Sequence, residues 1–285
     1  ERGAEALLDA GDELEQHHRI EHQAPFQQRH RGIEALARGS QDFALARAHT
    51  IVTYTEDYAR HTPSLAKRIS RVRWILPPVT APRPTGRTAD EVRAQYGVRG
   101  RPVLLFLGRF AEEKGLPDLV AALPEIRRRF PETALVLAGE KDRVPGETVG
   151  DRLAPLLSDP GSGVVATGSV PPEKIGDLFR IADLLVLPSI NSTESFGLVQ
   201  VEAMLEGVPV VASDLPGVRQ PVRMTGMGEV APIADPSGLA RQIVRVLESP
   251  ASYRRPLEEI RSRFSMDRTI SEYEDVYRVA AGKVQ

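Results

Sequence analysis

The sequence predicts an α/β protein built on a doubly wound parallel sheet, and three observations carry that prediction. From position 101 onward, short apolar runs alternate with amphipathic stretches at regular spacing. The runs VLLFL at 103–107, ALVLA at 134–138, GVVAT at 163–167, LLVL at 184–187 and VPVVA at 208–212 are almost wholly apolar rather than alternating, as strands covered on both faces are. The stretches between and after them have helical length, which supplies the crossovers that parallel strands need.

Taken in order, residues 26–48 read as helix, 50–54 (TIVTY) as strand, 55–61 as a helix capped by Thr55, and 72–76 (VRWIL) as strand. They form the tail of another α/β unit. The segment LPPVTAPRPTG at 76–86 holds four prolines in eleven residues and reads as linker. The expected domains are therefore 1–85, an incomplete first lobe with its linker; 86–266, the doubly wound lobe; and 267–285, a terminal crossing helix. Thr88 with Glu91 three residues on is a capping box that opens a short helix before the first strand of the main lobe. Further helices are expected near 117–129, 148–158, 172–181, 197–206, 216–222 and 236–248, with a weak strand at 229–231. Residues 251–263 and 267–283 read as helical, the second with Ile270, Tyr273, Val276, Tyr277 and Val279 at helical spacing.

At 285 residues the chain exceeds the usual single-domain size, and a net charge of −2 offers no global basic field for a nucleic acid. Any anion must be bound locally. With no cysteine, the sequence excludes disulfides, Cys-zinc sites and thiol nucleophiles, and the cytoplasm is the expected location. No apolar run approaches the ~20 residues of a spanning helix. That leaves peripheral membrane contact as the one membrane role still open. The opening residues ERGAEALLDAGDELEQ show neither an initiator Met nor a signal-type apolar core, so a fragment or processed product is expected.

Two loops carry chemistry. LGRFAEEKG at 107–115 follows the first strand of the main lobe, and ligands of open parallel sheets sit at such carboxyl ends. Gly108 allows a tight turn, while Arg109 and Lys114 are suited to embrace a diphosphate. The competing reading is solvated surface charge beside Glu112 and Glu113. PSINSTESFGLVQVEAML at 188–205 follows the fourth strand. If its helix starts near Ser195, the amides of Phe196, Gly197 and Leu198 form an anion site. Glu194 before the helix and Glu202 almost two turns along it can face one crevice at different heights and accept hydrogen bonds from sugar hydroxyls. The competing reading makes Glu194 a helix-start charge and Glu202 surface.

Together, GRFAEEKG and ESFGLVQVEAM resemble glycosyltransferase family 4. Two further segments extend the resemblance: EGVPVVASDLPG at 206–217 and RFSMDRTISEYEDVY at 263–277. It implies a GT-B architecture of two facing Rossmann-like lobes, here one complete and one incomplete. It also implies that Arg109 and Lys114 bind the donor diphosphate, that Glu194 contacts the transferred sugar and Glu202 the nucleotide ribose, and that Phe196, Gly197 and Leu198 make the phosphate-facing turn. The implied reaction is retaining transfer of a sugar from a nucleotide diphosphate donor to a carbohydrate, lipid or small-molecule acceptor, with no cofactor and no metal. No protein nucleophile is demanded, because the leaving phosphate can take the acceptor's proton. The absence of an Asp-x-Asp motif agrees with metal independence.

The Gly-rich acceptor loop and sugar-side His of that family have no match, and all six histidines lie at or before His61. Donor binding with slow or no transfer is therefore expected of this chain alone. His18 and His22, four apart beside Glu21, read as a solvated helix rather than a metal site. Base contacts are expected from the loops at 139–143 and 168–170. Competing functions are a sugar-nucleotide epimerase or phosphorylase on the same scaffold, and a nonenzymatic donor-binding half.

Overall fold

In the computed structural model, which describes residues 39–141 and 144–282, the apolar runs pair as one parallel sheet. The chain divides into two compact units, Glu1–Ile51 and Val52–Gln285. Within the first, residues 39–47 are helical (α1). The rest of the helix expected at 26–48 lies outside the described residues, as do His18, Glu21 and His22.

The second unit begins with a small piece. Strands β1 (Ile51–Thr53) and β2 (Val72–Trp74) form a two-stranded sheet, in which the Ile75 amide donates to the Thr53 carbonyl at 2.8 Å. Between them lie α2 (Glu56–His61) and the single turn α3 (Pro63–Ala66), which the sequence reading did not anticipate. The Thr55 hydroxyl caps α2 by accepting from the Tyr58 amide at 3.1 Å.

The expected capping box opens α4 (Ala89–Gln95), with both of its reciprocal hydrogen bonds present. Then follow β3 (Val103–Leu107), α5 (Leu116–Arg129), β4 (Ala134–Ala138), α6 (Val149–Ser158), β5 (Val164–Gly168), α7 (Pro172–Ile181) and β6 (Leu184–Leu187). The lobe continues with α8 (Leu198–Leu205), β7 (Val210–Ser213), α9 (Gln220–Thr225), β8 (Gly228–Ala231), α10 (Pro236–Glu248), α11 (Leu257–Arg263) and α12 (Met266–Ala280). The six strands order as β5-β4-β3-β6-β7-β8, all parallel.

Strand periodicity of two explains why the runs look apolar throughout. Val103, Leu105, Val136, Leu185 and Val210 face a core layer completed by α4, α7, α8 and α11. Leu104, Phe106, Leu135, Val186 and Val211 face the opposite layer, completed by α5, α6 and α10. Both faces exclude water, so neither set of positions is polar.

Three expectations shift. The helix placed at 216–222 starts only at Gln220, because residues 216–219 turn tightly around Gly217. The helix placed at 251–263 is broken: a short 3-10 turn at Pro250–Tyr253 ends before Pro256, which disfavours helical backbone at the residue ahead of it, and α11 restarts at Leu257. The proline-rich stretch 76–86 is not free chain either. Leu76, Val79 and Ala81 pack on the core, the Val79 amide donates to the Phe264 carbonyl at 2.9 Å, and the amide and hydroxyl of Thr85 donate to the buried Asp177 carboxylate at 2.9 and 2.6 Å.

Candidate functional site

The strand order reverses at β3. The chain winds outward through β4 and β5, then crosses back to β6 on the other side, so α5 and α8, which follow β3 and β6, cover opposite faces of the sheet and leave a crevice between them at the carboxyl edge. Both motifs of the sequence flank it.

The loop after β3 is short and tied down. Gly108 donates its amide to Ala138 at 2.9 Å and Phe110 to Glu140 at 2.9 Å, extending the β3 and β4 pairing beyond the strands. Residues Glu112–Lys114 make one 3-10 turn, ending at Gly115 in the left-handed region, φ 65°. A side chain there would place its Cβ 1.9 Å from the Pro188 carbonyl oxygen, so glycine lets the loops after β3 and β6 touch backbone to backbone. The Ile190 amide completes the contact, donating to the Glu113 carbonyl at 2.9 Å.

That contact brings together residues 80 positions apart. Lys114 Nζ donates to Glu194 Oε2 at 2.7 Å, with the two side chains only 19% and 20% exposed. Arg109, in contrast, is 59% exposed and reaches Glu113 at 3.0 Å. It stands at the mouth of the crevice while Lys114 stands inside.

The helix matches the expected 197–206 to within one residue at each end, but it starts later than the Ser195 on which the anion site was conditioned. Helix α8 begins at Leu198 with Gly197 as its cap, not near Ser195, and the Gln200 amide already donates to Gly197 at 3.0 Å. The first-turn amides of Leu198 and Val199 are therefore the ones a helix start leaves without an intrahelical acceptor. Ser195 and Phe196 lie in the turn before it, and Leu198 turns its side chain outward, 44% exposed. The Phe196 side chain belongs to the core, 1% exposed and edge-on to Tyr54 and Phe264 at centroid distances of 5.7 and 6.2 Å.

Glu202, one turn into α8, is half-buried, and among the described residues no ion pair or hydrogen bond reaches it. Burial alone pushes its carboxyl above the ordinary 4.5. Three members of the neighbourhood escaped the sequence reading. Gln200 is fully buried and donates Nε2 to the carbonyls of Phe196 at 2.8 Å and Val218 at 2.9 Å. Asp57 and Arg219 pair across 162 residues. Of the base-contact loops, 139–141 and 168–170 lie at the same edge, and residues 142–143 lie outside the described residues. Among the described residues no cluster of metal-ligating side chains forms, and no helix is long and apolar enough to cross a membrane.

A doubly wound lobe whose charged loops meet at its switch point is of the Rossmann-like, ligand-binding class. The chain belongs to the glycosyl transferases group 1, whose family model matches residues 88–263. It is 36% identical over 154 residues to a phosphatidyl-myo-inositol mannosyltransferase of Mycolicibacterium smegmatis, covering 54% of this chain and 38% of that one. It is 32% identical over 212 residues to a GDP-mannose-dependent alpha-(1-6)-phosphatidylinositol monomannoside mannosyltransferase of the same organism, covering 70% and 53%. The chain thus spans about half the length of such relatives or less. Among solved structures, a sucrose-phosphate synthase from Thermosynechococcus elongatus superposes with a TM-score of 0.69 at 25% identity, over 86% of this chain and 61% of that one. The architecture is of the GT-B type, with one complete Rossmann-like lobe and part of a second α/β unit.

Proposed function

We propose that this chain carries the donor site of a glycosyltransferase that moves a sugar from a nucleoside diphosphate to an acceptor hydroxyl with retention of configuration and without a metal. The observation that carries the reading is the Lys114 to Glu194 contact of 2.7 Å beside the start of α8, with Glu202 further along the same helix and, among the described residues, unpaired.

In the unfilled site Lys114 and Glu194 satisfy each other. An arriving diphosphate gives Lys114 a better partner, together with Arg109 at the mouth and the Leu198 and Val199 amides. Glu194 is then released to accept hydrogen bonds from the sugar hydroxyls, and Glu202 accepts from the ribose. As the anomeric carbon to phosphate oxygen bond breaks, charge builds on the departing diphosphate, where these fixed cations and amides stabilise it. The acceptor oxygen bonds to the anomeric carbon on the same face, and its proton passes to the departing phosphate oxygen. Because the family match lies over this lobe, GDP-mannose, which the name of one relative specifies, is the first donor to try. An epimerase or phosphorylase would need further acid/base groups or a phosphate pocket of its own, whereas the relatives named above are mannosyltransferases, which supports the transfer reading.

Titration calorimetry separates the two carboxylates. Glu202→Ala should weaken GDP about tenfold, the loss of a hydrogen-bonded charge. Glu194→Ala should leave GDP near wild type and weaken GDP-mannose. Equal losses for free GDP in both variants would overturn the assignment.

A further inference from the structure

The loop after β7, residues 214–219, is gripped from two directions. From α8, Gln200 holds the Val218 carbonyl at 2.9 Å while also holding Phe196 at 2.8 Å, so one buried amide ties this loop to the turn that opens its own helix. From α2, Asp57 takes a forked grip on Arg219, with Nε at 2.9 Å and Nη2 at 2.6 Å, and accepts the Gly217 amide at 2.9 Å. Burial pushes the Asp57 carboxyl up, but the hydrogen bonds from Arg219, Gly217 and Gln220 outweigh it and hold the group down at about 2. Arg219 also reaches the Asp214 carboxylate at 3.1 Å, so its guanidinium has little freedom left.

This loop backs directly onto the turn before α8. Gly217 has φ 83°, and a Cβ on it would lie 2.1 Å from the Ser195 carbonyl oxygen and 3.2 Å from the Tyr58 Cβ. Tyr54, three residues before Asp57, sets its ring against Phe196. The short stretch 54–57 therefore bears on this turn at two points: on Phe196 through the Tyr54 ring, and on the Ser195 backbone through Asp57 and Gly217. Glu194 is the next residue back.

We infer that Asp57 is a positioning residue for the sugar end of the donor site. Its forked pair with Arg219 and its bond to Gly217 fix the loop against Ser195 and thereby set where Glu194 stands. Glu202 lies further along α8, where the helix's own backbone hydrogen bonds add to the Gln200 tie in holding the nucleoside end. The segment 54–57 would then govern sugar recognition while contributing no group that touches the sugar. This inference rests on the donor-site reading above.

The test uses the whole chain and two probes, GDP and GDP-mannose, with UDP and UDP-glucose as the second pair, measured by calorimetry well below the melting temperature. Asp57→Ala should weaken the nucleotide sugar about tenfold or more, since an ångström of misplacement is enough for such losses. Free nucleoside diphosphate should weaken by no more than about threefold, as for a site it does not touch. Arg219→Lys keeps the charge but loses the fork, and should fall between. It carries the same test if Asp57→Ala fails to fold by circular dichroism. A lowered melting temperature with unchanged nucleotide-sugar affinity would make the pair merely structural and overturn the inference, and so would equal loss of both probes. If wild type binds neither pair, or Lys114→Ala leaves binding intact, the donor-site reading itself fails and this inference falls with it. Binding that needs Lys114 but ignores Asp57 sinks only the inference.

Discussion

The two edges of the six-stranded sheet use the same residue types for opposite ends. At the carboxyl edge, Lys114 meets a carboxylate across a loop contact, and α8 points its amide end at the crevice. At the amino edge lies a cavity of about 410 Å³ lined by Arg93, Arg101, Arg254, Asp183, Phe130 and Leu247, which looks at first like a better anion site. It is not one, because α5, α7 and α10 end there and direct their carbonyls toward it. Two of its three arginines are occupied by backbone carbonyls. Arg93 donates to the Arg101 carbonyl at 2.8 Å and to the Ile181 carbonyl at the end of α7 at 2.7 Å, and Arg101 donates to the Glu132 carbonyl at 2.8 Å. A cation at a helix carboxyl end completes the fold; the same charge beside a helix amino end has room for a ligand.

Two glycines give the comparison its largest test. Gly115 at the carboxyl edge and Gly163 at the amino edge have nearly the same backbone, φ 65° and 63°, so alanine pays the same conformational cost at both. The neighbours differ. A Cβ at Gly115 meets the Pro188 carbonyl at 1.9 Å, whereas one at Gly163 meets the far ends of the long Arg101 and Arg127 side chains at 2.5 and 2.7 Å. Gly163→Ala should therefore cost about 1 kcal/mol. Gly115→Ala should cost about 3 kcal/mol, because backbone must move, and should abolish measurable nucleotide binding. Urea melts and calorimetry on the two variants check this, and equal costs would show that the loop contact is soft.

Charge removal comes next in size. Lys114→Ala should weaken GDP about 50-fold, the loss of a charge-assisted hydrogen bond, with little change in melting temperature. Arg93→Ala should do the reverse, losing about 2 kcal/mol of stability as the Ile181 and Arg101 carbonyls lose their donor, while GDP affinity stays within about twofold. A drop in GDP affinity for Arg93→Ala would break the division between edges.

The division also marks what was legible in the sequence. The strands were, because burial on both faces leaves an unmistakable apolar run, and so was the placement of Arg109, Lys114, Glu194 and Glu202 in the segments that follow β3 and β6. Gln200 was not. Its position within VQVEAM looks like any polar helix residue, and only the fold shows that it faces the Val218 carbonyl. The pairing of Asp57 with Arg219 was hidden for a plainer reason, since nothing local links residues 162 positions apart. Helix α8 was legible to within a residue, and only the alternative start near Ser195 fell early, because Gly197 in the left-handed region caps the helix.

The smallest effect concerns Glu202, and its sign separates a ligand group from a structural one. A carboxyl whose folded value is pushed above the ordinary 4.5 by burial, with no described partner, is disfavoured as an anion by the fold. That penalty is absent below the unfolded value, grows as pH rises through the folded one, and is fully present at neutrality. Glu202→Gln should therefore raise the melting temperature of the unfilled protein at pH 7.5 by about 1–2 °C, a modest gain because the group is only partly buried. The gain should fade as pH drops toward the ordinary carboxylate range. At the amino edge Asp183→Ala should do the opposite at neutral pH, because the Val103 amide at 2.8 Å and Arg93 at 3.3 Å lose their acceptor. The added stability conferred by GDP should shrink in Glu202→Gln, since an amide is a weaker acceptor for the ribose hydroxyls than a carboxylate. A residue that destabilises the empty protein yet strengthens the filled one is held in place for its ligand. Melting curves with and without GDP between pH 5 and 8 read both terms at once. A variant less stable than wild type at pH 7.5, or a gain that ignores pH, would return Glu202 to the ordinary surface of α8.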